Sequence, residues 1–169
     1  MSNITYYELL TEEALRSSSE ENTGKLAFLY LSRKGHTYVW GWTGTGKSII
    51  ARRMAGILEG DYFNFELLSL SEWTAQYNEI EARLTNSDKP VIVIDGFSPR
   101  GAGREFNTLL SGLTERGVSL FVFSQEPPFE DSPSVYRQYE FDSSMFETIV
   151  ELRFGERESH YPVTLRQVK

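Results

Sequence analysis

The chain has 169 residues and a formal net charge of −7, with 24 acidic side chains against 17 basic ones. It is 40% apolar and 14% aromatic, a composition that folds around one core and excludes both a disordered chain and two ordinary domains. The absence of cysteine excludes a disulfide framework and a thiolate zinc site, and His36 and His160 lie too far apart in sequence to suggest a histidine metal site. The acidic balance argues against a broadly basic surface that coats nucleic acid, although a local basic loop remains compatible with it.

The opening residues, MSNITYYELL, lack the basic start and long apolar run of a secretory signal, and no stretch approaches the ~18 apolar residues of a membrane span. The expectation is a cytoplasmic chain, or a nuclear one in a eukaryote, with no membrane partner. Residues 1–23 read as an N-terminal helix and linker, because TYYELLTEEALRSSSEEN starts helical and turns polar. Residues 24–169 read as one core. Its first stretch, GKLAFLYLSRKG, is ambiguous between helix and strand, since a short apolar run does not reveal its period.

From Thr37 the pattern alternates. TYVW is a short strand, a Gly-rich loop follows, and SIIARRMAGILEG is a helix stopped by Gly60. DYFNFE is a second strand, and SLSEWTAQYNEIEARLT a helix with Ser69 and Glu72 at capping-box spacing. KPVIVIDGF is a β-branched run with no polar alternation, which marks a strand buried on both faces. GREFNTLLSGLTERG is an amphipathic helix, VSLFVFSQ another buried strand, and TIVELRF with YPVTLRQVK a closing hairpin. Strands alternating with helices imply a three-layer α/β fold around a mostly parallel sheet.

Between the first strand and its helix stands Gly41-Trp42-Thr43-Gly44-Thr45-Gly46-Lys47-Ser48, the full phosphate-loop pattern in the context it demands. The glycines let successive N–H groups curl around phosphate oxygens, and the helix that begins near Lys47, running on through Ile49, adds its positive end. Lys47 suits the β- and γ-phosphates, and the Ser48 hydroxyl suits Mg²⁺. A second carboxylate for that ion, reached through water, is Asp95 at the end of VIVID. These residues point to ATP and Mg²⁺ as cofactors.

With VIVIDGFSP, LLSGLTERGVSLFVFSQEPP and the C-terminal TIVELRFGERESHYPVTLRQVK, this loop resembles the RecA superfamily of P-loop ATPases, in particular its KaiC, RadA/Sms and DnaB-like branch, over about residues 37–169. The resemblance implies a RecA-like P-loop fold ending in a β-hairpin, with Glu66 as the base that activates water and Gln125 as the γ-phosphate sensor. It implies slow ATP turnover by the chain alone, assembly into a homo-oligomer or paralogue complex, and a link to DNA recombination, repair or replication with single-stranded DNA as a partner. Arg100 and Arg104 in SPRGAGRE, and Tyr136 and Arg137 in the Pro-rich loop after VSLFVFSQ, are its nucleic-acid candidates. Lys169 resembles the hairpin lysine that reaches a neighbouring subunit's nucleotide in KaiC-like rings.

Only one strand–helix unit fits between Lys47 and Asp95, where RecA-family cores usually carry a further one. That spacing resembles DnaA/Hda-type AAA+ proteins, but those place an acid directly after the Mg²⁺ aspartate, where this chain has Gly96. IDGFSPR resembles a stretch of adenylate kinases, without their Arg-rich lid. A nucleotide-gated regulatory or assembly protein with little hydrolysis is the functional alternative. Among the remaining aromatic and basic positions, Trp40, Trp42, Trp73 and Tyr77 are expected to pack, and His36 and His160 to lie at the surface.

Overall fold

Ten regular elements account for most of the computed structural model, which describes residues 6–65, 73–99, 104–128, 142–155 and 163–169, leaving aside the side chains of 6–12 and 73–76. In chain order these elements are α1 (Tyr6–Arg33), β1 (Thr37–Gly41), α2 (Lys47–Ile57), β2 (Asp61–Asn64), α3 (Trp73–Asn86), β3 (Val91–Phe97), α4 (Arg104–Glu115), β4 (Ser119–Ser124), β5 (Thr148–Arg153) and β6 (Thr164–Gln167). The strands form one six-stranded sheet in the order β2-β3-β4-β1-β5-β6. The first five are parallel, and β6 returns antiparallel to β5 as the closing hairpin. The fold is therefore α/β with a mostly parallel sheet, as the alternation of patterns implies.

Side-chain alternation divides the core. Val91 and Val93 of β3, Phe121 and Phe123 of β4 and Val39 of β1 pack on one face with Leu26 and Tyr30 of α1 and Ile50, Ala51 and Met54 of α2. Ile92, Ile94, Leu120, Val122 and Tyr38 pack on the other face with Ile80 and Leu84 of α3 and Phe106, Leu110 and Leu113 of α4. Both faces of the sheet are thus covered, which is why its central strands read as continuous apolar runs.

Two expectations are corrected here. The linker expected before residue 24 is helix: α1 continues without a break from Tyr6 to Arg33, and the ambiguous stretch from Gly24 is its second half. Four of its polar residues face inward, with Ser18, Ser19, Asn22 and Thr23 all buried. Asn22 Nδ2 donates to Val163 O at 3.0 Å, Val163 N donates to Ser18 Oγ at 3.1 Å, and Thr23 Oγ1 donates to Ser19 O at 2.6 Å. A polar stretch becomes a docking face because Ser18, Asn22 and Thr23 find partners for their side chains.

His36 is the second correction, being 3% exposed rather than at the surface. Its Nδ1 accepts from Leu120 N at 3.1 Å, so Nε2 carries the proton and faces Leu110 O at 3.0 Å and Thr114 Oγ1 at 2.9 Å. The ring ties β4 to α4 as a neutral imidazole. Among the described residues no helix is long and apolar enough to cross a membrane. The Ser69–Glu72 pair, the side chain of Trp73, and His160 fall outside the description.

Candidate functional site

Parallel strands bring their carboxyl ends to one edge, and ligands of open α/β sheets sit in the crevice beyond that edge. Here it gathers the ends of β1, β2, β3, β4 and β5. Gly41, Asn64, Asp95, Gln125 and Arg153 therefore come to one side of the molecule from five separate strands.

The loop 41–48 spans β1 and α2 at this edge. Gly44 and Gly46 adopt φ of +86° and +87°, a left-handed backbone that side chains oppose. At Gly46 a Cβ would also stand 2.5 Å from Ser19 Oγ of α1. Trp42 O holds the curl together, accepting from Thr45 Oγ1 at 2.8 Å, from Thr45 N at 3.3 Å and from Lys47 Nζ at 2.8 Å. Lys47 Nζ also donates to Gly41 O at 2.7 Å, and the residue is 7% exposed. A buried ammonium is costly unless hydrogen-bonded, and the loop's own carbonyls serve that need.

α2 begins on Gly46 with no side-chain cap and no acid in its first turn. Its first helical bond runs from Ile50 N to Gly46 O at 3.0 Å, so the amides ahead of it, including those of Ser48 and Ile49, have no intrahelical acceptor. The positive end of the helix dipole adds to them, and the arrangement suits an anion. Thr43 is exposed in the loop, and Phe154 lies against Gly44 from the end of β5. The indole of Trp42 is 73% exposed, which corrects the expectation that it packs; Trp40 does pack, against the α3/α4 core.

Asp95 alternates with Val91 and Val93, so it faces the same side of the sheet as α2. It is 1% exposed. Its Oδ2 accepts from Tyr62 Oη at 2.8 Å, while Oδ1 is buried without a hydrogen bond. Burial, then the bond to Asp95, push the Tyr62 phenol up to about 12, so it stays a donor. The guanidinium of Arg52, on α2, stands 5.7 Å from the Tyr62 ring centre. Gly96 follows in a bulge at φ +84°, a backbone that an acidic residue adopts only under strain. The position required by the AAA+ alternative is thus unsuited to a carboxylate as well as lacking one.

Gln125 is exposed directly after β4, beside Ser124, whose Oγ accepts from Glu126 N at 3.1 Å. Glu66 lies outside the described residues; the chain before it is pinned to the site, with Phe65 N donating to Asp95 O at 2.8 Å. Arg100, Tyr136 and Arg137 also lie outside the description, and Arg104 is exposed at the start of α4. Lys169 is placed at the opposite edge: its Nζ donates to Ser144 O at 3.0 Å and Phe146 O at 2.7 Å, ahead of β5. This placement has a topological cause, because β6 runs back from the site edge to the other one.

The sequence reading missed Tyr62 and Ser19. Tyr62 carried a signal, since it alternates with Asn64 in DYFNFE, but its meaning needs the pairing of β2 with β3. Among the described residues no group of three or more His, Asp or Glu side chains converges. The donors at hand for a cation are one carboxylate and the Ser48 hydroxyl, a set suited to an ion that keeps several of its own waters. No protein-family model matches the chain, and no curated protein matches it.

Proposed function

We propose that this chain is a RecA/KaiC-like P-loop ATPase that binds ATP with Mg²⁺ at the carboxyl edge of its sheet. The observation that carries the reading is the conjunction of loop 41–48, curled on left-handed glycines ahead of an uncapped helix, with a buried carboxylate oxygen of Asp95 that has no partner. Each part supplies what the other lacks. The loop offers donors for phosphate, and Asp95 offers the acceptor that a phosphate-bound cation needs.

On binding, Lys47 exchanges the carbonyls of Gly41 and Trp42 for the β- and γ-phosphate oxygens. The amides of the curl and of the first turn of α2 accept the remaining charge. Ser48, and Asp95 through water, would hold Mg²⁺, whose charge would offset that developing on the phosphates. Glu66 orients the attacking water, and Gln125 reports the γ-phosphate to the chain that follows β4. The link to single-stranded DNA, and assembly with further copies or a paralogue, rest on the resemblance, with Arg100, Arg104, Tyr136 and Arg137 as the contacts.

The test is the Mg·ATP hydrolysis rate with and without single-stranded DNA, for the wild type and Glu66→Gln. A DNA-stimulated rate that the substitution abolishes is the expected result. Tight ATP binding without turnover, unaffected by DNA, overturns the motor role and leaves a nucleotide-gated binding protein.

A further inference from the structure

The two oxygens of Asp95 are in different states. Oδ2 is engaged by the Tyr62 hydroxyl at 2.8 Å, and Oδ1 is buried without a hydrogen bond. This division is built into the register. Tyr62 pairs with Val93 and Asn64 with Asp95, so on the face toward α2 the Tyr62 side chain is the diagonal neighbour of Asp95. The Arg52 guanidinium, on α2, lies over the phenol ring at 5.7 Å from its centre. Tyr62 is thus held between the phosphate-loop helix and the carboxylate, and the carboxylate is held with one oxygen available.

We propose that Tyr62 is a positioning residue that selects the metal: by occupying Oδ2 it allows Asp95 to offer the cation's shell a single oxygen, which favours Mg²⁺ over Ca²⁺. The inference rests on the proposed Mg·ATP site. Mg²⁺ keeps a near-ideal octahedron with several waters, so one oxygen of Asp95, met through one of those waters, suffices. Ca²⁺ gathers more oxygens and often takes both from one carboxylate. A carboxylate with Oδ2 already committed meets the first demand and withholds the second.

Calorimetric titration of the full chain with AMP-PNP, in EDTA, in Mg²⁺ and in Ca²⁺, tests this for the wild type, Tyr62→Phe and Asp95→Asn. In the wild type the affinity in Mg²⁺ exceeds that in Ca²⁺ several-fold, and Asp95→Asn removes most of the gain from either metal. Tyr62→Phe keeps the affinity in EDTA within about twofold, while the Mg²⁺-to-Ca²⁺ ratio falls at least threefold. An unchanged ratio in Tyr62→Phe, or an equal loss in all three conditions, overturns the selecting role. Should Tyr62→Phe fail to fold, Tyr62→Leu, which likewise takes the hydroxyl away from Asp95 Oδ2, carries the test; a fall in the same ratio supports the role, and an unchanged ratio overturns it. A wild type that binds no AMP-PNP, or binds it equally in all three conditions, overturns the nucleotide site and this inference together. Metal dependence that Asp95→Asn leaves intact overturns the inference and removes Asp95 from the proposed site, while nucleotide binding at loop 41–48 stands.

Discussion

His36 shows what a single residue can do in this fold and why its role was hidden. Its partners Leu110, Thr114 and Leu120 come from α4 and β4, far along the chain, so nothing near residue 36 announces them. Burial lowers the imidazole's affinity for a second proton, against smaller opposing effects from Leu110 O and Glu147, and sets it below its ordinary value of 6.5. The unfolded chain therefore takes up a proton as pH falls through 6.5 while the native chain does not. This contribution to stability is full above that value and is lost as pH drops toward the lowered native one. Urea denaturation between about pH 7.5 and pH 5.5 will show the midpoint falling with acidity. His36→Gln will cost about 2 kcal/mol at neutral pH and flatten that slope. The curl of loop 41–48 was legible for the opposite reason: its glycines and the carbonyls that hold it lie within a few residues, where spacing alone states the geometry. Asp95 was legible as the polar end of a buried run, whereas Tyr62 waited on strand order.

At the scale of elements, α1 is where sequence pattern and structure part. Its second half carries apolar side chains all round, with Leu26 and Tyr30 buried but Phe28 71% and Leu31 65% exposed, so no single period stands out. Its first half buries Ser18, Ser19 and Asn22, which carry no apolar signal at all. Those residues still hold the hairpin, since Val163 engages Asn22 and Ser18 through both its carbonyl and its amide. A 24–169 fragment loses these partners and uncovers Gly46. It will be destabilised by more than about 3 kcal/mol in urea relative to the full chain, or will fail to unfold cooperatively. The hairpin yields a second prediction. Lys169 holds the carbonyls of Ser144 and Phe146 at the edge away from loop 41–48. Lys169→Ala will therefore lower stability by about 1 kcal/mol and leave nucleotide turnover unchanged, which steady-state kinetics will check. The strands, by contrast, were readable almost throughout, because central positions buried on both faces leave only β-branched and aromatic residues in place.

For the whole molecule the charge of −7 and the site edge pull against each other. On the proposed reading a polyanionic triphosphate approaches an acidic protein where Lys47, the start of α2 and the acid-free first turn make the local field positive. Lys47 is also part of the resting loop, buried on the carbonyls of Gly41 and Trp42. Nucleotide binding as proposed would therefore replace an internal arrangement rather than fill an inert cleft, and its free energy would add to that of folding only through the native state. At a ligand concentration of about one hundred times Kd, that linkage stabilises the fold by about 2.7 kcal/mol. For a domain of this size this corresponds to a rise in Tm of roughly 5–10 °C. Thermal unfolding of the full chain with saturating ATP and Mg²⁺ will show this rise, with a smaller one in EDTA, where Asp95 has no cation to receive. Lys47→Ala will abolish both rises, because neither the β- nor the γ-phosphate then finds its cation. An equal rise with and without Mg²⁺ would separate the two halves of the site, keeping loop 41–48 as the phosphate cradle and removing Asp95 from it.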